Sequence, residues 1–196
     1  MEDYPEIHFE RDTDWYDWLL NNYNKANGVY LIFYKLELNI PTMRWEEAVK
    51  VALCFGWIDS KVQSLGNGKR CQYFSPRNPK GNWSALNKKY VKDLITNGLM
   101  HEAGYKMIDL AKQTGTWTAM DDVENGVIPI DLQQAFDKNK SAFKNYQNFA
   151  RGYRKGYLSW LHSAKREETR KSRIIQIIEL CANNIKSRNT KSSNKK

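Results

Sequence analysis

The sequence predicts an α+β chain, with a small, mainly antiparallel sheet on which helices pack, followed by an all-helical C-terminal half. Three observations carry this. The run GVYLIFYKL at 28–36 is rich in β-branched and aromatic residues and stands between two segments of helical spacing. Two further strand-like runs, WIDSKVQSL and KRCQYFS, flank Gly66, Asn67 and Gly68, residues that adopt the positive backbone dihedrals a hairpin loop needs. Beyond residue 100 the apolar residues recur at helical intervals. At 196 residues the chain buries most of its apolar surface without disulfides or metals.

The elements follow in order. Thr13 or Asp12 caps a helix over 13–27, with Trp15, Trp18, Leu19 and Tyr23 on one side and Asn27–Gly28 as its stop. In the strand at 28–36 both parities are apolar, which predicts cover on both faces. After Pro41 a helix runs from about Met43 to Phe55, stopped by Gly56. The hairpin pairs Trp57–Ser64 with Lys69–Ser75, and Val29–Lys35 is expected in the same sheet of at least three strands. Two prolines break the FSPRNP loop, after which Asn82 caps a helix from Trp83 to about Asn97. Helices then follow at 102–114, 130–138, 141–150, 152–164 and 167–185, with TWTAMDDVENGVIP as an irregular link. In the last helix Ile174, Ile177, Ile178, Cys181 and Ile185 form an apolar stripe, and Arg166, Arg170 and Arg173 lie on a separate cationic face. The expected organisation is a sheet-containing region at 1–100, a helical region at 101–186 packed on it, and a basic tail at 187–196 that has nothing to bury and is expected to be disordered.

Composition narrows the function. The net charge of +9 is concentrated at the C-terminus, where residues 151–196 hold 13 Lys or Arg against Glu167, Glu168 and Glu179. Such a segment attracts nucleic acid, an anionic membrane face or an acidic protein, or is simply a solvated helix with a tail. No stretch approaches the roughly 20 apolar residues that span a bilayer, so no membrane insertion is expected. The start, MEDYPEIHFERDTDW, is acidic where a secretory signal needs positive charge, and Cys54, Cys71 and Cys181 show no paired spacing. Both features point to the cytoplasm.

The candidate ligand site comprises Asp59, Lys61, Arg70, Tyr73, Ser75, Arg77, Trp83, Ser84 and Asn87. Strand alternation puts Asp59 and Lys61 on one face and Tyr73 and Ser75 on one face. Arg77 enters a loop that feeds a helix N-terminus, where backbone N–H groups and a guanidinium fork suit phosphate or carboxylate, and Trp83 is placed to stack a ring. The structural alternative pairs Arg77 with Asp59, plugs the sheet edge with Trp83 and leaves Asn82 a simple cap. A second constellation, Arg154, Lys165, Arg166, Arg170 and Arg173 with Tyr153, Tyr157 and Trp160, has the mix of cations and rings of a polyanion platform. Tyr153, Tyr157, Trp160 and Leu161 also have the spacing of a core stripe. His8, His101 and His162 are isolated, Cys54 reads as buried, and no glycine-rich phosphate loop is present, so no metal site and no cofactor are expected.

The motifs DWYDWL, GVYLIFYK, FGWIDS, FSPRNPK, NWSALNKKY, IPIDLQQAF and AKREETRKSRI, in that order along nearly the whole chain, resemble the YdeI/OmpD-associated family, often labelled bacteriocin-protection. The AKREETR segment also resembles the C-terminal motif of the YdhG-like proteins, some labelled iron chaperones, although its basic character is wrong for oxygen-ligand cation sites. The resemblance implies a bacterial, cytoplasmic, non-catalytic binding or stress-protection protein, with a small anionic ligand or a protein as partner. Two other functions stay open: an enzyme acting on a small phosphorylated or anionic substrate at Asp59, Arg77 and Trp83, and nucleic-acid binding through the C-terminal helices.

Overall fold

The computed structural model describes residues 4–188. The chain divides into two compact units, Met1–Ala119 and Met120–Lys196. The first contains β1 (Glu6–His8), α1 (Asp12–Asn22), β2 (Val29–Tyr34), α2 (Trp45–Cys54), β3 (Trp57–Gly66), β4 (Lys69–Pro76), α3 (Ala85–Thr96) and α4 (Glu102–Gln113). The second contains α5 (Asp121–Asn125), α6 (Ile130–Asp137), α7 (Lys140–Asn148), α8 (Arg151–His162) and α9 (Glu167–Ala182). The α+β class and the helical C-terminal half are as the sequence predicts. The sheet-bearing unit runs past residue 100, because α4 packs on α2. Gly104 makes this possible, since a Cβ there would lie 2.3 Å from the Cys54 carbonyl oxygen. Of the expected tail, 189–196 lie outside the described residues.

The sheet has four strands in the order β1-β2-β4-β3. The hairpin turn uses Gly66, Asn67 and Gly68 at φ of 77°, 48° and 73°, and β2 pairs antiparallel with β4, Val29 opposite Phe74 and Tyr34 opposite Lys69. β1 is an addition to the predicted sheet. It pairs parallel to β2 over three residues, too short a run to leave a periodic signal.

One face of the sheet carries Val29, Leu31, Phe33 and Phe74 into a core with Trp15 and Leu19 of α1, Ala48, Val49, Ala52 and Leu53 of α2, and Trp57. The Trp15 indole N–H donates to the Ala48 carbonyl at 3.1 Å, and the Trp57 indole N–H to the Tyr23 carbonyl at 3.0 Å. The expectation that β2 is covered on both faces needs correction. Its other face bears half-buried Tyr30 and Tyr34 around Ile32, which is buried but belongs to neither hydrophobic core. Tyrosine rings rather than a second layer of core account for the apolar second parity: Tyr73 lies beside Tyr30 at 5.1 Å and beside Tyr4 at 4.9 Å between centroids.

Helix boundaries also differ from expectation: α1 ends at Asn22 rather than at 27, and α9 at Ala182 rather than at 185. α3 begins at Ala85 with Ser84 as its cap, the hydroxyl accepting from the Asn87 backbone N–H at 3.2 Å, so Asn82 is not the cap. The supposedly irregular link contains α5, closed by Gly126 in the left-handed region.

The second unit packs Leu132, Phe136, Ala142, Tyr146, Leu158, Leu161, Ile177 and Cys181 into its own core. Polar ties hold its helices: Asn145 Nδ2 donates to the Cys181 carbonyl at 2.8 Å and the Tyr157 hydroxyl to the Ile185 carbonyl at 2.7 Å. Burial pushes the thiols of Cys54 and Cys181 up to about 12, so both behave as small apolar residues.

Candidate anion-binding groove

The helix-covered face of the sheet ends in a groove. Across the strands Leu31, Gln72 and Val62 form one row, and Phe33, Arg70 and Ser64 the next towards the hairpin turn. Phe33 is the last residue of this face inside the core, whereas Arg70, Ser64 and Val62 are exposed. The groove has a volume of ≈ 700 Å³, lined by Phe33, Leu36 and Val62 and by the cations Lys35, Arg44, Lys69 and Arg70. No carboxylate, imidazole or thiol is among its lining residues. Aromatic faces hold two of the cations in place: the Arg70 guanidinium lies 5.2 Å from the Phe33 centroid and the Lys69 ammonium 5.7 Å from that of Tyr34. Arg44 precedes α2, where the Glu47 carboxylate accepts from its backbone N–H at 2.7 Å, leaving the guanidinium outside the capping contact.

Of the predicted ligand residues, this groove contains Arg70 alone. Arg77 lies seven residues further along extended chain, about 23 Å away, so Arg70 and Arg77 cannot hold one small anion. Asp59 is half-buried at the α2 start, where one carboxylate oxygen accepts from the Trp45 indole N–H at 2.9 Å and from the Gln72 side-chain amide. Gln72 and Arg77 are the buried polar residues of the chain's described part. A bulge between Asp59 and Val62 breaks the alternation that would have put Lys61 on the Asp59 face, and Lys61 is exposed. Tyr73 and Ser75 sit on the opposite face, opposite Tyr30 and Ile58. The Tyr73 hydroxyl donates to the Asn27 carbonyl at 3.2 Å and fills the space over Gly28, where a Cβ would meet it at 2.0 Å. Asn87 lies in the first turn of α3.

Arg77 and Trp83 form a buried stack. The guanidinium carbon lies 3.7 Å from the Trp83 centroid, Nη2 donates to the Asn82 carbonyl, and the Trp83 ring lies 4.9 Å from that of Trp117. Arg77 is 5% exposed and Trp83 1%, so this ring offers no face to a ligand. Nε and Nη1 of Arg77 are buried without an acceptor. Burial pulls the guanidinium down to about 10, against the opposing field of Asp59. Arg77 and Asp59 interact through that field without an ion pair.

In the second unit the five predicted cations divide into two kinds. Arg170 forms a two-pronged pair with Asp131, at 2.5 Å from Nε and 2.9 Å from Nη2, and holds the Asp131 carboxyl below its ordinary value. Arg173 donates to the Trp160 carbonyl and to the Ser163 hydroxyl, the latter at 2.8 Å. Arg154 is half-buried, and Lys165 and Arg166 are exposed. Tyr157 is in the core, and the guanidinium carbons of Arg173 and Arg188 lie 5.3 and 4.9 Å from the Trp160 ring centroid. Among the described residues no three His, Cys, Asp or Glu side chains gather as a metal site would require.

Sequence reasoning missed Lys35, Arg44 and Lys69. The available signal was positional: Lys35 follows β2 and Lys69–Arg70 open β4, and antiparallel neighbours bring the end of one strand beside the start of the next.

Residues 125–184 match the profile of the family described as Bacteriocin-protection, YdeI or OmpD-Associated, which is a narrower span than the motif resemblance covers. Residues 7–107, just over half of the chain, match a different profile, described as Domain of unknown function (DUF8412). No curated protein and no solved structure matches the chain. By its sheet-bearing unit the chain belongs to the DUF8412 family, and its helical unit carries a Bacteriocin-protection, YdeI or OmpD-Associated segment.

Proposed function

We propose that this chain is a non-catalytic binding protein that takes an anionic ligand in the groove at the hairpin end of its sheet. The observation that carries this reading is that Lys35, Arg44 and Arg70 line an apolar floor with no carboxylate among the lining residues, while Lys69, held over Tyr34 on the other face, adds its charge from the sheet edge. Cations gathered without counter-charges repel one another, and an anion relieves that repulsion. The floor of Phe33, Leu36 and Val62 suits an apolar portion of the same ligand. Binding is favoured over catalysis because the lining supplies a hydroxyl from Ser64 but no acid–base pair, while the one acid of the predicted site, Asp59, already accepts two hydrogen bonds. The description of the family matched by residues 125–184 supports a protective role for the bound state.

Amide NMR titration of the full chain with inorganic phosphate and with phenylphosphate tests this. Saturable shifts are expected at Lys35, Lys69 and Arg70, with phenylphosphate the tighter ligand. Arg70→Gln should weaken binding by about tenfold, the value of one charge-assisted contact of ~1.4 kcal/mol. Shifts absent from these residues, or unaffected by Arg70→Gln, would refute the reading.

A further inference from the structure

The apolar surface around the groove extends beyond what a small anion covers. Leu36 and Val62 line it and are each 58% exposed. Exposed Leu38 lies against Gly68, since a Cβ at that glycine would meet its Cδ1 at 2.8 Å, and exposed Leu65 sits between Ser64 and Gly66 of the lining. A ligand filling the groove would leave Leu38 and Leu65 in water. Exposed leucines next to a cationic cleft indicate a larger occupant.

We propose that this occupant is an extended acidic segment of a partner protein, with Asp or Glu residues flanking one or two large apolar anchors. The proposal rests on the groove reading above and names its partner class. Charge complementarity selects the acids, because Lys35, Arg44 and Arg70 line the apolar floor, Lys69 lies at the same end of the sheet, and none of the four is in an ion pair among the described residues. The concave shape selects a chain that enters the cleft over a flat membrane surface that would touch only its rims. The segment lies across the groove rather than extending the sheet: β3 is an edge strand, but its bulges between Asp59 and Val62 and between Ser64 and Gly66 break the ladder that an added strand would need. In an extended segment alternate side chains point to opposite sides, so apolar anchors enter the floor while acids at neighbouring positions reach the rim cations.

Fluorescence anisotropy with the full chain at 150 mM salt tests the proposal, using three probes: a labelled acidic peptide with two leucine anchors, an oligoglutamate of equal charge and length, and vesicles of phosphatidylglycerol and phosphatidylcholine. The anchored peptide is expected to bind at least about tenfold tighter than oligoglutamate, a difference of ~1.4 kcal/mol that two partly buried leucines readily supply. Leu38→Ser and Leu65→Ser should remove that advantage and leave the phosphate shifts at Lys69 and Arg70 intact, whereas Arg70→Gln should weaken every anionic probe. Equal binding of the two peptides, or an advantage that survives both serine substitutions, would overturn the proposal. So would vesicle binding lost in the serine variants without anchored-peptide binding. If phosphate still shifts Lys69 and Arg70 in any of these cases, the groove reading stands and the peptide class falls; if no probe binds, both fall.

Discussion

Replacing Arg77 by Met tests whether the buried guanidinium is a strain on the fold or a support for it. Burial lowers Arg77 to about 10, well below the ordinary guanidinium value, a penalty of roughly 3 kcal/mol for keeping the charge. The visible returns are one bond from Nη2 to the Asn82 carbonyl and the stack on Trp83. A charge-assisted bond contributes about 1.5–3 kcal/mol and a desolvated cation–ring contact about 2. In Arg77→Met the penalty disappears, water can reach the carbonyl of the exposed residue Asn82, and the thioether keeps about 0.3–1.5 kcal/mol of contact with the ring. Gains and losses cancel, so Arg77→Met should lie within about 1 kcal/mol of the parent. Arg77→Ala, which leaves the space beside Trp83 empty, should lose about 2–4 kcal/mol. Urea unfolding followed by tryptophan fluorescence measures this, because Trp15, Trp18, Trp45, Trp57, Trp83 and Trp117 report on the first unit and only Trp160 on the second. A loss of about 3 kcal/mol or more in Arg77→Met would refute the reasoning. It would mean that Nε and Nη1 gain partners in solution whose loss outweighs the relief of burial.

Gly104→Ala should destabilise the first unit by about 1–3 kcal/mol, since the new methyl meets the Cys54 carbonyl and must push α4 off α2; an unchanged urea midpoint would show that the helices slide apart freely. Asp131 has its carboxyl lowered in the folded state by Arg170, so its contribution is complete above the unfolded value of about 3.9 and is lost as pH falls through the lower folded value. Asp131→Asn should therefore cost the second unit about 1 kcal/mol at neutral pH, since the pair is partly exposed. That difference should shrink as pH falls below the unfolded value of about 3.9 and through the lower folded one, as read by hydrogen exchange in α6 and α9; a deficit that does not shrink on acidification would sink the pairing argument. Arg170→Gln and Arg173→Gln should each speed exchange in α9, whereas Lys165→Gln and Arg166→Gln should not, because only the first two hold internal acceptors. If all four variants instead leave exchange untouched and lower retention on heparin together, the arginines form one polyanion face.

The hairpin was legible because Gly66, Asn67 and Gly68 each carry a conformational requirement that few residues meet, and local chemistry of that kind survives any tertiary context. The helices were legible for a related reason: their apolar stripes had to face something. The site was less legible, and the reasons are specific. Arginine beside tryptophan in a loop has the same sequence signature whether the pair faces a ligand or closes over itself, and burial, which decides the matter for Arg77 and Trp83, depends on Trp117, thirty-four residues beyond Trp83. Face assignment failed for Lys61 because a single bulge reverses alternation, and nothing local in SKVQ announces one. The groove itself depends on strand order. Once β2 is placed beside β4 rather than β3, Tyr34 must meet Lys69, Phe33 must meet Arg70, Lys35 comes beside Gly68 of the turn, and the cations gather at one end of the sheet as a consequence of antiparallel pairing. A hairpin plus one strand allows either neighbour, so the decisive step from sequence to site was topological. In such sheets the charged residues to examine first are those at strand ends, where an unassuming Lys or Arg on one strand acquires its partners from the next.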